Sequence, residues 1–183
     1  QPLGDRKCKV YLLHGNFTDE QMYGLYQHPK IKALVNAAHG EGFGLPIFEA
    51  AQSGLPVIAP NWGGQKDFMN AEVITKKKGK KDKKRVRFLG APVDYHVKQI
   101  QKDAVWENIL IPESSWCYPI ERSLTNEMKN VQKNYGRYIS DAKKLKAHIA
   151  ENFSEEKQNA EFVESVLKTI ETNKAHPTSV ISL

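Results

Sequence analysis

Residues 31–60 read IKALVNAAHGEGFGLPIFEAAQSGLPVIAP, and this stretch decides the fold. An apolar run centred on Leu34 predicts a buried strand, and the strand leads into a glycine-containing loop at residues 39–44. Pro46 stands where a helix would open, and Gly54 where that helix would end. A second apolar run after Gly54 predicts another buried strand. A strand, a short helix and a second strand indicate a parallel sheet that is covered by helices.

The segment before this stretch extends the same alternation. Residues 9–14 (KVYLLH) form a short apolar run ended by Gly15 and predict a further strand. Thr18 and Gln21 have the spacing of a capping box, which predicts a helix that ends before Pro29. We therefore predict an α/β fold, with a Rossmann-like parallel sheet, helices on both of its faces, and additional C-terminal helices.

The region beyond residue 70 has a different pattern. Residues 72–75 and 85–89 predict the two strands of a hairpin, with residues 76–85 as its basic tip, whereas residues 93–117 give no clear pattern. The chain is predicted to be mainly helical after Pro119. A last helix over residues 154–172 carries an apolar stripe. Its members are Phe162, Val166, Leu167 and Ile170.

The positive charge of the chain is concentrated in one place. The net charge is +6, but residues 76–85 (KKKGKKDKKR) hold eight basic residues and one acid, which leaves 19 Lys and Arg against 20 Asp and Glu elsewhere. A basic run is usually a solvated hairpin tip. The more specific alternative is that the run contacts a polyanion, which could be a membrane surface, an anionic acceptor or nucleic acid.

The remaining composition is that of a soluble domain. A hydrophobic fraction of 40% is ordinary for a globular protein, and no apolar run reaches the length of a membrane span. Cys8 and Cys117 have no partner at the spacing of metal ligands, so we predict no metal site and two reduced thiols. A cytoplasmic location is expected, with a membrane surface as the alternative that the basic run leaves open.

The two glycine loops, residues 39–44 and 61–64, follow predicted strands, at the sheet edge where parallel sheets bind ligands. The backbone amides at the start of the helix between them would form a seat for phosphate. Glu41 and Glu49 flank this seat, and a carboxylate can accept hydrogen bonds from both hydroxyls of a diol. Taken singly, each glutamate would be a structural residue. Together, the groups suit a nucleotide-sugar, which has a diphosphate between two sugars.

The same residues resemble a known family of enzymes. The sequence GEGFGLPIFEA at residues 40–50, followed by GLPVIA and by Gly63-Gly64, resembles the family-4 (group 1) glycosyltransferases. That family has the two-domain GT-B fold and generally retains the anomeric configuration of the sugar. Glu41 and Glu49 match its E-x7-E motif, and the match covers residues 39–67.

The resemblance implies a role for each of these positions. Glu41 would be the catalytic carboxylate beside the donor sugar, and Glu49 would bind the ribose. Asp67 stands where the family often has an acid. A nucleotide-diphosphate-sugar would be the substrate, and neither a cofactor nor a metal is expected. The other donor-binding positions are Gly42, Phe43, Gly44 and Leu45 at the diphosphate, Gly63 and Gly64 at the pocket border, and His14 near the base.

The resemblance also implies that residues 1–183 are one truncated nucleotide-sugar-binding domain. In the family, the Arg and Lys that neutralise the diphosphate lie upstream of the position of Val10. The acceptor-binding N-terminal domain would be a missing partner, and little transfer is expected from the chain alone. The apolar stripe of the last helix would ordinarily belong to the core. In the family this helix packs towards the other domain, so the alternative is that part of the stripe is exposed here and self-associates.

Two other functions fit the sequence. One is a glycosyltransferase that modifies nucleic acid and holds it with the basic run at residues 76–85. The other is a non-catalytic module that binds a nucleotide or a phosphate and has kept the fold without the chemistry.

Overall fold

The computed structural model of the protein describes residues 8–77 and 80–175. It is an α/β structure with a three-stranded parallel sheet, two antiparallel hairpins and three C-terminal helices. The elements in chain order are α1 (Asp19–Gln27), β1 (Leu34–Val35), α2 (Leu45–Gln52), β2 (Val57–Pro60), α3 (Lys66–Met69), β3 (Asn70–Lys77), β4 (Lys80–Phe88), β5 (Ala91–Val93), β6 (Tyr95–Gln99), β7 (Ser115–Pro119), α4 (Glu121–Lys133), α5 (Tyr135–Asn152) and α6 (Glu155–Ala175).

The parallel sheet has the order β1-β2-β5 and is covered on both faces, which confirms the predicted fold class. Successive side chains of the fully buried central strand β2 point to opposite faces. Val57 and Ala59 belong to one apolar core, which includes residues of α2 and α5. Ile58 belongs to a second core, in which it packs with Val131 of α4 and Tyr138 of α5.

The two helices before β2 begin and end as their sequences indicate. Thr18 caps α1 in a capping box, because the amide of Gln21 donates to Thr18 Oγ1 and the Gln21 side chain accepts from the amide of Thr18. Helix α2 begins at Leu45, so that Pro46 is its second residue rather than its first. Gly54 follows α2 with a φ of 81°, the left-handed conformation that glycine adopts most readily.

The strand predicted at residues 9–14 does not form. The apolar side chains from Val10 to Leu13 are exposed, Leu12 by 90%, and the segment pairs with no strand in the described part of the chain. Its apolar pattern gives a preference for strand, but a strand is stable only when it pairs with a neighbour and packs its side chains. Strand β1 is also shorter than predicted. Among the described strands only β2 pairs with it, and Val35 is 41% exposed.

The hairpin predicted around the basic run is present and longer than expected. Strands β3 and β4 pair from Asn70 opposite Phe88 to Lys77 opposite Lys80. Most of the run is therefore strand rather than tip, and residues 78–79 lie outside the described part of the chain. Strand β5, which the sequence did not predict, ends where the region without a clear pattern begins, and it completes the parallel sheet. That region holds most of the hairpin β6–β7.

Helices α4, α5 and α6 confirm the helical C-terminal region. Ser154 caps α6, since the amide of Lys157 donates to Ser154 Oγ at 3.3 Å. Val163 joins the predicted apolar stripe of α6, and all five side chains of the stripe are exposed. Among the described helices, none combines the length and the apolar character that crossing a membrane requires.

Candidate functional site

The two glycine loops pack against one another, backbone to backbone. The amide of Gly64 donates to the carbonyl of Glu41 at 3.1 Å. A Cβ at Gly64 would collide with the carbonyl of Gly42, and a Cβ at Gly63 would lie 3.0 Å from the carbonyl oxygen of Glu41. The approach of the two loops therefore requires glycine at both positions. The sequence predicted that these loops share one edge of the sheet, and the structure joins them.

The start of α2 leaves backbone amides free. Gly44 is the N-cap residue, with a φ of 90°, and its carbonyl accepts the helical hydrogen bond from Phe48 at 2.9 Å. The amides of Phe43, Gly44 and Leu45 have no acceptor among the described residues. Free amides at the positive end of a helix dipole attract an anion such as phosphate.

Gln65 connects the two loops and was not anticipated from the sequence. Gln65 is 4% exposed, and its Nε2 donates to the carbonyl of Pro60 at 3.1 Å. Its Oε1 is buried and accepts no hydrogen bond from a residue that the structure describes. Side-chain atoms of Gln65 lie within 3.4 Å of the place that a Cβ would take at Gly44 and within 3.2 Å of the corresponding place at Gly63. The available signal was a polar residue directly after two glycines.

Asn36 holds the carboxylate of Glu41. It follows β1, and its backbone amide continues the sheet by donating to the carbonyl of Ile58 at 2.9 Å. Its side-chain Nδ2 donates to Glu41 Oε1 at 3.2 Å, while Oδ1 accepts from the amide of Ala38 at 2.8 Å. The end of the strand thus orients the half-buried Glu41. Asn36 was not predicted as a site residue either, although it is a polar residue at the carboxyl end of a predicted strand.

Glu49 has a different environment. Its Oε2 accepts a hydrogen bond from the hydroxyl of Tyr26 in α1 at 3.3 Å. Burial raises the pKa of Tyr26, and the charge and the hydrogen bond of Glu49 raise it further, so the phenol stays a neutral donor. Glu49 lines a cavity of about 230 Å³ between α1 and α2. Tyr23 and Gln52 also line this cavity.

Apart from Glu49, the predicted site residues divide into two groups. Residues 41–45 and Gly63-Gly64 are brought together by direct contacts between the loops. His14 is exposed in the segment that forms no strand, and in the described part of the chain no hydrogen bond joins it to either loop. Asp67 is exposed in the first turn of the short helix α3. The structure therefore gives His14 no defined position at the site.

The fold and the loops define a Rossmann-like α/β domain with an edge suited to an anionic ligand, and comparison with known proteins adds a narrower similarity. Over 43 residues, the chain is 54% identical to three sequences described as serotype-specific mannosyltransferase WbdA from Escherichia coli. The aligned stretch is 24% of this chain and 5% of the length of those relatives. No protein-family model matches the chain, and no solved structure matches it. The short similarity supports a glycosyltransferase-like function.

Proposed function

We propose that this chain is the donor-binding part of a retaining family-4 glycosyltransferase of the GT-B fold, and that its donor is a nucleoside diphosphate linked to a hexose. The observation that carries the proposal is the contact between the two glycine loops beside the free amides of α2. The similarity to a mannosyltransferase makes mannose the first donor sugar to test.

The diphosphate is the leaving group of such a reaction, and it gains negative charge when the bond to the sugar breaks. The free amides of Phe43, Gly44 and Leu45 would donate to its oxygens, and the dipole of α2 would stabilise the same charge. Groups held in place before the reaction stabilise a developing charge without reorganising. The packing of Gly64 on Glu41 supplies this rigidity.

The two glutamates would serve the two ends of the donor. Glu49 lines the cavity beside α1, where its carboxylate can accept hydrogen bonds from a ribose diol in addition to the one from Tyr26. Glu41 would lie beside the transferred sugar. Asn36 occupies one of its carboxylate oxygens, so the other is available to the sugar hydroxyls and to the positive charge that develops at the anomeric carbon.

Binding is the direct test of this proposal. Titration of the chain with GDP, UDP and the corresponding mannose derivatives by calorimetry is expected to show millimolar or tighter binding, weakened about tenfold in Glu49→Ala. Glu156→Ala, which removes an exposed glutamate from the first turn of α6, is the matched control and is expected to bind like the wild type. Binding that is identical in the two variants would contradict the role of Glu49.

A mechanistic test requires a protein that catalyses transfer. In the full-length protein, Glu41→Gln is expected to lower kcat by about a hundredfold or more while leaving nucleotide binding intact, because it removes a charge that acts on the reacting sugar. Asn36→Ala is expected to lower kcat less, since it frees the carboxylate without removing it. A full-length protein that neither hydrolyses nor transfers from any nucleotide-sugar would favour a non-catalytic nucleotide-binding module.

A further inference from the structure

Two hydrogen bonds connect hairpin β6–β7 to the loop that carries Glu41. The amide of Cys117 donates to the carbonyl of His39 at 3.0 Å, and His39 Nδ1 lies 2.7 Å from the carbonyl of Cys117. A carbonyl only accepts hydrogen bonds, so Nδ1 carries the proton and Nε2 is left available to another group. His39 is two residues from Glu41, and the hairpin is therefore fixed directly beside the proposed sugar end of the site.

The hydrogen bonds between His39 and Cys117 bring three aromatic rings together. Side chains alternate along a strand, so Trp116 and Tyr118 share one face of the hairpin while the buried Cys117 points to the other. The ring of His39 is stacked on Trp116, with 5.2 Å between centroids and 5° between planes. It also contacts Tyr118 at 4.6 Å. All three rings are half-buried and keep part of their surface in solvent.

Polar groups border this aromatic surface. Cross-strand partners share a face of a hairpin, and Lys98 is paired with Trp116 while His96 is paired with Tyr118. Both polar side chains are exposed. Tyr95 belongs to the opposite face, where it packs on Trp62 of the second glycine loop at 5.6 Å. The face of the hairpin that carries Tyr95 therefore packs against the second glycine loop. The face that carries Trp116 and Tyr118 presents an aromatic surface with a polar border.

We propose that His39, Trp116 and Tyr118 form the platform on which the acceptor sugar lies. A pyranose ring has an apolar face of C–H groups, which packs on aromatic rings, and a rim of hydroxyls, for which Lys98, His96 and Nε2 of His39 are suitable partners. The platform adjoins Glu41, whereas the cavity of Glu49 lies against α1. A saccharide therefore fits this position better than the nucleobase does. This assignment rests on the proposed function for its place beside the donor.

The test uses the whole chain and two kinds of probe. Methyl α-D-mannopyranoside and a linear manno-oligosaccharide are titrated into ¹⁵N-labelled protein, and the three tryptophan indole signals are followed by NMR. The expected result is a saturable shift of the Trp116 signal, with no shift of Trp106, which is 66% exposed in the loop that connects β6 to β7. Nucleoside diphosphates are titrated separately.

Variants separate stacking from folding. Trp116→Leu keeps an apolar side chain in the hairpin but removes the aromatic face, and it is expected to weaken saccharide binding about tenfold without changing nucleotide binding. Trp116→Phe is expected to restore much of the affinity, and Trp106→Leu is the matched control. Saccharide binding that survives Trp116→Leu would overturn the proposal, and so would the absence of saturable saccharide binding by the wild type.

The outcomes also distinguish this proposal from the proposed function. If Trp116→Leu weakens nucleotide binding instead of saccharide binding, the platform holds the base and the proposal is wrong. If the chain binds saccharide through Trp116 but binds no nucleoside diphosphate, the platform stands and the donor-binding function fails.

Discussion

Arg87 of β4 donates two hydrogen bonds to the carboxylate of Asp141 in α5, at 2.6 and 3.0 Å. The Asp141 side chain is only 4% exposed, while that of Arg87 is 37% exposed. This pair fastens the long basic hairpin to the helical part of the protein. Arg137 and Lys144 also approach Asp141, but at 4.0 and 3.8 Å and from exposed positions.

Removing the arginine of this pair is expected to destabilise the protein. Arg87→Met leaves a buried carboxylate without its two short hydrogen bonds and is expected to lower the free energy of unfolding by about 2 kcal/mol. Arg137→Met, the matched control, is expected to cost less than about 1 kcal/mol because its contact is long and solvated. Urea unfolding measures both values. Equal losses would show that the bidentate pair of Arg87 and Asp141 contributes no more to stability than the long contact of Arg137 does.

A methyl group at Gly64 is expected to separate the two glycine loops. Gly64→Ala places a Cβ against the carbonyl of Gly42, and we expect a loss of about 2 kcal/mol or more in stability together with loss of nucleotide binding. Gly40→Ala is the control, since a Cβ at Gly40 meets no atom within 4 Å. Thermal unfolding and calorimetry test the pair. A Gly64→Ala protein that binds nucleotide normally would contradict the importance of the loop contact.

Acidification is expected to weaken the protein through His148. Burial lowers the pKa of this histidine below its ordinary value of 6.5, although Glu151 acts in the opposite direction. Below pH 6.5 the unfolded chain therefore binds more protons at this position than the folded protein does, and stability falls as the pH falls.

His148→Phe keeps a ring beside Phe153 and removes the titrating group. Urea unfolding at pH 7.5 and pH 5.5 gives the loss of stability on acidification. The free energy of unfolding is expected to fall less between these two pH values in His148→Phe than in the wild type. The other five histidines are the same in both proteins, so the difference between the two pH dependences reports on His148. An identical pH dependence would mean that burial of His148 does not oppose its protonation.

Helix α6 is expected to support self-association. Its stripe of Phe162, Val163, Val166, Leu167 and Ile170 is exposed, and in an antiparallel pair of helices centred on Val166, Glu164 would face Lys168 of the second copy. Analytical ultracentrifugation is expected to show a concentration-dependent dimer. Val166→Lys should abolish this dimer, whereas Ser165→Lys, on the polar side of the helix, should not. A wild type that stays monomeric at high concentration would exclude this use of the stripe.

Contact of the basic hairpin with a polyanion, the alternative to a solvated surface, makes a testable prediction. Lys83 and Arg85 are exposed on β4, and neutralising both as Lys83→Gln/Arg85→Gln should weaken binding to single-stranded DNA or to anionic vesicles. The slope of log affinity against log salt should fall by about 1 to 2, one counterion for each lost phosphate contact. Lys133→Gln/Lys143→Gln is the control with the same change in charge. No binding at low salt would identify the run as a solvated surface.

The sequence predicted those parts of the fold whose causes are local. Thr18 and Gln21 determine the start of α1, and Gly54 follows the end of α2, because capping and left-handed backbone depend on a few adjacent residues. The strand expected at residues 9–14 failed for the opposite reason. Pairing depends on a distant backbone, and no local pattern reveals whether that neighbour is present.

The candidate site shows the same difference between features with local causes and features that depend on distant residues. The glycines and glutamates form a contiguous motif, and the structure brings the two loops of that motif together. Other contacts of the site join residues far apart in the chain, and Cys117 lies 78 positions from the His39 that it contacts. Asn36 and Gln65 are polar residues beside a predicted strand end and a glycine pair, but the partners that they contact become evident only in the tertiary structure.

Among the described strands, β1 lies at an edge of the sheet, and this has a practical consequence. An unpaired strand edge offers backbone groups to any extended peptide, and the exposed segment from Val10 to Leu13 is a ready source of one. Molecules in concentrated solution can complete each other's sheets in this way. Crystallisation and storage of this chain will therefore benefit from a charged substitution such as Leu12→Lys, which leaves every described hydrogen bond of the glycine loops intact.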